Sequence, residues 1–205
     1  PRDKVLDWGR RTFTELARQA ADGVPGVVMR ESLTLYRTEP EPQWWADAVG
    51  EVRPARPGEL PPGYAHGLRF AVPLVEMSVH LPWLAAEAGR RGIVLERRRV
   101  TSLDEAGRDA DLVVHCSGMG ARTLVGDTTV TLVRGQIVRV TNPGLTMSVR
   151  DEAHPGGRAY VHPRAHDCVL GGTLDDGVWD ATPDPAAGEA ILRRCRDIVP
   201  ALGDA

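Results

Sequence analysis

Apolar residues recur at roughly helical spacing from Val5 to Ala21, through Trp8, Phe13, Leu16, Ala17 and Ala20, and Gly23 with Pro25 closes the run. This predicts a first helix. Val27 to Arg37 opens all apolar and alternates from Glu31 onward, which predicts a strand with one solvent face, ended by Pro40 and Pro42. Trp44 to Asp47 suits a helical turn, and Pro54, Pro57, Pro61 and Pro62 mark a loop unable to join a sheet interior. Leu68, Phe70, Val72 and Leu74 then alternate strictly, the clearest half-buried strand of the chain, and Glu76 to Arg91 follows as a helix capped near Gly92. Ile93 to Glu96 reads as a returning strand. Farther on, Val133 to Val140, Met147 to Arg150, Arg158 to Pro163 and Asp167 to Thr173 read as strands, the last two joined as a hairpin by Arg164-Ala-His-Asp. A final helix spans Ala187 to Val199, with Ile191, Leu192, Cys195, Ile198 and Val199 as its apolar face. The tally of several short strands, two or three helices and few strict βαβ repeats favours an α+β fold with a large mixed sheet.

One stretch departs from simple alternation. Leu112, Val113 and Val114 form a continuous apolar run, the pattern of a strand covered on both faces, and Ser117, Gly118 and Gly120 stop it at once. Glycines let the backbone approach a ligand, Ser117 offers a hydroxyl, and Ala121 to Val125 suits a helix whose free N–H groups face the turn. Open α/β sheets hold nucleotides in this way, at the carboxyl end of a strand. The same residues also fit an ordinary strand-to-helix turn.

Composition narrows the classes. The chain has 205 residues, 42% of them hydrophobic, enough for a real core. A formal net charge of −3 gives no basic field for nucleic acid, and no apolar run approaches a bilayer span. Neither a nucleic-acid nor a membrane partner is expected. Cys116, Cys168 and Cys195 are widely spaced without a C-x-x-C pair, so three reduced, mostly buried thiols of a cytoplasmic protein are expected. His162 and His166 would suit zinc on a helix, but Pro163 lies between them, and no metal site is expected. No G-x-S-x-G marks a hydrolase. Arg97-Arg98-Arg99 reads as a solvated face rather than a phosphate site, and the paired tryptophans Trp44 and Trp45 as local core rather than a ligand platform.

Five ordered segments carry a family resemblance: "DWGRRTF" from Asp7, "VVHCSGMGA" from Val113, "VRGQIVRV" from Val133, "AYVHPR" from Ala159 and "LGGTLDDGVW" from Leu170. Together they resemble the D-amino-acid oxidase family, including its D-aspartate oxidase members. The resemblance implies FAD as cofactor and oxidation of a D-amino acid by hydride transfer to flavin, with O2 reduced to hydrogen peroxide and the imino acid hydrolysed to a 2-oxo acid and ammonia. Little acid–base machinery is then needed, because the cofactor takes the hydride. It places Tyr160, otherwise a core or interface aromatic, at the substrate carboxylate. It places Val100 at the FAD adenine through its backbone, and Ser117, Gly118 and Met119 at the cofactor turn. Met119-Gly120 replaces the bulky aromatic frequent in the family, which implies looser flavin packing.

The lid stretch Arg150 to Arg158 lacks the second tyrosine of eukaryotic members, implying a smaller or more open lid; Arg150 is a candidate substrate contact, and Arg150 with Arg158 would favour an acidic side chain, as in D-aspartate oxidase. The implied layout is residues 1–22 as a helix linking to the FAD domain, 23–92 and 126–185 as two parts of the substrate domain, 93–125 as a returning segment of a Rossmann-like FAD domain, and 186–205 as a C-terminal helix. The family's G-x-G-x-x-G turn, carboxylate-pairing arginine and C-terminal signature find no match, so the chain reads as the middle of the enzyme. D-aspartate oxidase, a glycine- or sarcosine-type flavin amine oxidase, and a non-catalytic fragment or binding domain derived from an oxidase are the alternatives, and a homodimer is a candidate assembly.

Overall fold

A computed structural model describes residues 2–108 and 110–203. Helix α1 (Arg2–Ala21) leads into β1 (Val27–Tyr36). A 3₁₀ turn at Ala46–Ala48, the short β2 (Val52–Pro54) and a second 3₁₀ turn at Pro57–Glu59 precede β3 (His66–Val75) and α2 (Met77–Arg90). The middle holds α3 (Leu103–Ala106), a 3₁₀ turn at Gly118–Gly120 and α4 (Ala121–Leu124). Strands β4 (Val133–Arg134), β5 (Ile137–Thr141), β6 (Ser148–Asp151), β7 (Ala159–Pro163), β8 (Asp167–Gly171) and β9 (Asp175–Asp176) follow, and α5 (Pro185–Ile198) with a 3₁₀ turn at Pro200–Leu202 ends the described chain.

The large mixed sheet expected from the strand tally is present. Seven strands run in the order β2-β3-β1-β6-β7-β8-β5, and β4 pairs separately with β9. All pairings in the large sheet are antiparallel except β1 with β6, which is parallel and brings Ser32 opposite Ser148 and Thr34 opposite Arg150. Because side chains alternate along a strand, one face of the sheet carries Leu33, Leu35, Val149, Val161, Cys168 and Leu170, all buried. Helix α5 covers that face with Ile191, Cys195 and Ile198, and Leu202 completes the core. Each large aliphatic chain so buried contributes on the order of 1.5–3 kcal/mol.

Helix α5 starts where it does for local reasons. Asp184 caps it, its carboxylate accepting from the Ala186 N–H at 2.9 Å, and Pro185 occupies the first turn without a missing donor. Gln136 holds that cap from across the chain: its side chain donates to the Asp184 carbonyl at 2.7 Å and accepts from the Asp184 N–H at 2.8 Å. The Gln136 N–H donates to Thr173 Oγ1, and the Thr173 N–H donates back to the Gln136 carbonyl. The run Val133 to Val140 is therefore two strands, β4 and β5, because Gln136 turns its hydrogen bonds to Thr173 and Asp184.

Several expectations need correction. Ile93 to Glu96 and Leu112 to Val114 are not strands, and Val94, Leu112 and Val114 are 86%, 79% and 75% exposed. Among the described residues no strand lies alongside either run, so their backbone has no ladder and their side chains no cover. Cys116 is exposed, unlike the buried Cys168 and Cys195, because it follows that uncovered run. Trp45 packs edge-on against Phe70 at 5.0 Å as local core, whereas Trp44 stays half exposed beneath the Arg2 guanidinium. Helix α1 forms as expected, yet none of its residues is fully buried.

Thiol chemistry reads the cysteine distribution directly. In the native protein one equivalent of a thiol reagent is expected to react promptly, at Cys116, while Cys168 and Cys195 react only on unfolding. Burial pushes both buried thiols up, Cys195 to about 11, which keeps them protonated and poorly nucleophilic. Prompt reaction of two or more of these three thiols would contradict this packing.

Candidate functional site

The sheet face opposite α5 carries polar and cationic residues. Registration places Thr34 beside Arg150, Arg150 beside Tyr160, Tyr160 beside Gly171 and His162 beside Val169, so these side chains share that face. A cavity of about 370 Å³ opens there, walled by Phe70, Val72, Leu74 and Val169 and edged by Arg30, Arg150, His162 and Arg164. Arg164 is neutralised by Asp167. Arg30 donates to the Thr146 carbonyl at 3.0 Å. Arg150 Nε donates to Thr34 Oγ1 at 2.9 Å and its guanidinium lies over the Phe70 ring, but no carboxylate pairs with it among the described residues. A partly buried guanidinium without an acid is a ready partner for an anion.

Tyr160 sits at one end of this face. Its ring stacks on the His162 imidazole, centroids 4.9 Å apart and planes at 26°, and lies flat against Gly171. A Cβ on Gly171 would fall 2.1 Å from Tyr160 Cζ, so only glycine leaves room for the ring. Burial pushes the phenol up, aided by the Cys195 thiol, which keeps the hydroxyl a donor. Burial and, secondarily, the Arg150 charge push His162 down, which favours the neutral imidazole. Tyr160 does not line the cavity that Arg150 edges, and its ring lies over Gly171, on the side away from Arg150; register alone puts this O–H donor and the guanidinium on one sheet face, a pair suited to a small carboxylate-bearing molecule.

The residues expected at the cofactor divide. Val100 and Ser117 line one cavity of about 430 Å³ together with Arg98, Thr101, Gly120 and Thr123. Gly118 and Met119 form the adjoining 3₁₀ turn but do not line that cavity. Gly118 adopts φ +53, and a Cβ there would meet no atom within 4 Å, so the turn is open on that side. The Ser117 hydroxyl and the Arg98 guanidinium are the donors at this cavity, since Thr101 Oγ1 donates to Glu105 at 2.8 Å and Thr123 Oγ1 to the Gly120 carbonyl at 3.1 Å; the set fits the polar end of a dinucleotide. The arginine run, expected as a solvated face, is exposed, but two of its members also border this cavity.

Sequence reasoning misses the part that His162, Thr34 and Gly171 play here. Thr34 and Arg150 are brought together only by the parallel β1–β6 pairing, a long-range contact without local signal. Gly171 is visible as part of "LGG", yet its partner Tyr160 is set by the hairpin register. The loop 152–158 joining β6 and β7 is short and contains no tyrosine. No group of acids, cysteines and histidines suited to a metal occurs among the described residues, and no described helix is long and apolar enough to cross a membrane.

A mixed sheet of this kind, backed by helices on one face, is shared with solved glycine oxidases: that from Geobacillus kaustophilus, TM-score 0.67 at 23% identity over 94% of this chain and 61% of that one, and that from Bacillus cereus, TM-score 0.68 at 20% identity over 98% and 65%. At such identity the likeness concerns the fold. The chain belongs to the FAD dependent oxidoreductase family, whose model it matches over residues 2–205. It is 48% identical to a D-amino-acid oxidase of Rubrobacter xylanophilus over 203 residues, 98% of this chain and 62% of that protein. It is 40% identical to a D-amino-acid oxidase of Streptomyces coelicolor, over 97% of this chain and 61% of that one, and 34% identical to human D-aspartate oxidase, over 95% and 58%. The chain thus spans about three fifths of the length of these relatives.

Proposed function

We propose that the protein containing this chain is a cytoplasmic, FAD-dependent D-amino-acid oxidase, and that the chain supplies its substrate-binding sheet and one side of its cofactor site. The observation that carries this reading is the juxtaposition of Tyr160 and Arg150 as cross-strand neighbours on an apolar-walled face, in a chain of this family. Bound FAD would supply the hydride acceptor, with O2 taking the electrons as hydrogen peroxide, while the imino acid hydrolyses to a 2-oxo acid and ammonia. The chain's residues bind and orient. Tyr160 Oη donates to the substrate carboxylate, Arg150 steadies the anion from Thr34, and Phe70 with Val72 and Leu74 excludes water from the side chain. Val100 through its backbone, and Ser117 with Gly118 and Met119 at the turn, would hold the cofactor. Residues 23–92 and 126–185 are read as the substrate domain and 93–125 as a segment of the FAD domain, whose further strands would cover Leu112 to Val114.

Arg150 also favours a second reading, oxidation of an acidic D-amino acid, since its guanidinium has no carboxylate partner within the described residues. A peroxide-coupled screen of the full-length flavoprotein with D-alanine, D-aspartate and glycine separates the readings. Peroxide from D-alanine above the others supports the first, D-aspartate the second, and glycine alone the glycine-oxidase alternative. A colourless protein inactive on all three overturns the oxidase reading. In the active enzyme, Tyr160→Phe is expected to raise KM by roughly 10-fold or more with kcat changed less than threefold, because a hydrogen bond to a charged group is worth about 1.5–3 kcal/mol. An unchanged KM would remove Tyr160 from the substrate carboxylate.

A further inference from the structure

Arg194 is out of place for an arginine. It lies on α5, only 9% exposed, and no carboxylate pairs with it among the described residues. A buried charge of this kind is costly unless hydrogen bonds compensate it. Its partners are backbone carbonyls: Nε donates to the Arg158 carbonyl at 3.0 Å and Nη2 to the Gly172 carbonyl at 3.3 Å. The next residue continues the pattern, Cys195 Sγ donating to the Tyr160 carbonyl at 3.3 Å. The side chain runs against Gly156 and Gly157, whose missing Cβ atoms leave it space: a Cβ on Gly156 would stand 3.0 Å from Arg194 Cδ. The Gly172 N–H in turn donates to the Arg158 carbonyl. These contacts fall on both sides of Tyr160, on the strand that bears it and on the glycine pair its ring rests against.

We infer that Arg194 is a positioning residue that, with Cys195, fixes the backbone on either side of Tyr160 and so sets where its hydroxyl meets the substrate carboxylate. The inference rests on Tyr160 being that anchor. A double-mutant cycle in the full-length flavoprotein tests it, with KM and kcat measured on whichever of D-alanine and D-aspartate is the better substrate. Arg194→Lys keeps the charge but reaches one carbonyl at most, and it is expected to raise KM about 5–10-fold with kcat within threefold. In the Tyr160→Phe background, where no hydroxyl remains to be misplaced, the same change is expected to alter KM less than twofold. Hydrogen exchange should quicken at residues 158–162 and 170–173 while Ile191 and its neighbours in α5 stay protected.

Equal effects of Arg194→Lys in the two backgrounds, or an unchanged KM in both, would overturn the inference while leaving Tyr160 as the anchor. An unchanged KM in Tyr160→Phe alone would instead overturn the anchor itself. Should Arg194→Lys fail to fold, Cys195→Ala, which removes the thiol contacts to the Tyr160 carbonyl at 3.3 Å and the Gly171 carbonyl at 3.9 Å, carries the same cycle with the same two outcomes.

Discussion

Gly171→Ala is expected to leave the protein folded and to deprive it of productive substrate binding. The added methyl would lie 2.1 Å from Tyr160 Cζ and 2.2 Å from its hydroxyl, closer than any real contact. Backbone at that position is fixed by pairing with both Tyr160 and Ile137, so the ring, not the strand, must give way. Tyr160 would then swing off the His162 imidazole toward solvent. Overpacking of this kind costs about 1–3 kcal/mol, and a ring with an open side relaxes toward the low end. The functional loss is larger, because the swing carries the hydroxyl away from the place proposed for the substrate carboxylate. KM is expected to rise well over 10-fold, beyond the effect of Tyr160→Phe, since the displaced ring also obstructs the face. Steady-state kinetics with thermal unfolding would check both halves; wild-type KM in the alanine variant would show that the ring does not hold the site.

The largest stability loss from a single polar change is expected at Asp151. This carboxylate is 1% exposed and accepts from Arg37 at 2.5 Å, from Tyr64 at 2.7 Å and from the Ala153 N–H at 2.8 Å. Burial opposes its charge, but the Tyr64 and Arg37 hydrogen bonds outweigh burial and hold the carboxyl below its ordinary range. Removing one partner of a buried pair costs about 3–5 kcal/mol; Arg37 is 38% exposed and can turn to water, so Asp151→Asn is expected to cost about 2–3 kcal/mol. A depressed carboxylate stabilises the fold above its unfolded pKa of about 3.9 and loses that contribution as pH falls through the folded value. Denaturant unfolding at several pH values should therefore show wild type and Asp151→Asn converging below about pH 4 and separating to a constant gap above it. A gap that persists undiminished at pH 2 would mean the charge is not what stabilises this corner.

Much of the fold is legible in the chain because its signals are local. Strict alternation at Leu68 to Leu74 yields β3, the strand pair flanking Arg164-Ala-His-Asp yields β7 and β8, and the apolar face of the last helix yields α5. The sequence singles out Tyr160, by resemblance, and Arg150, as a candidate contact, and the sheet register sets them opposite one another. What cannot be read depends on distant partners. The apolar run Leu112 to Val114 has the composition of a buried strand, but burial is a property of what lies beside it, and no described strand does. Arg194 borders the apolar stripe of α5, three residues after Ile191 and four before Ile198, a place where an arginine stem ordinarily reaches out to water. Only the hairpin loop closing over α5 turns that position inward, and the glycines at 156 and 157 become meaningful once the arginine is seen beneath them.

Gln136 ties Thr173 on one side and Asp184 on the other, so a single glutamine cinches the neck of the loop spanning 174–183. Strand β8 before the neck and helix α5 after it are therefore mechanically insulated from whatever the loop does. Beyond Asp180, where Arg134 holds the loop through Asp175 and the Asp180 carbonyl, evolution or an engineer can lengthen or decorate the segment while the sheet and helix keep their places, because the cost of closing a longer loop grows only with the logarithm of its length.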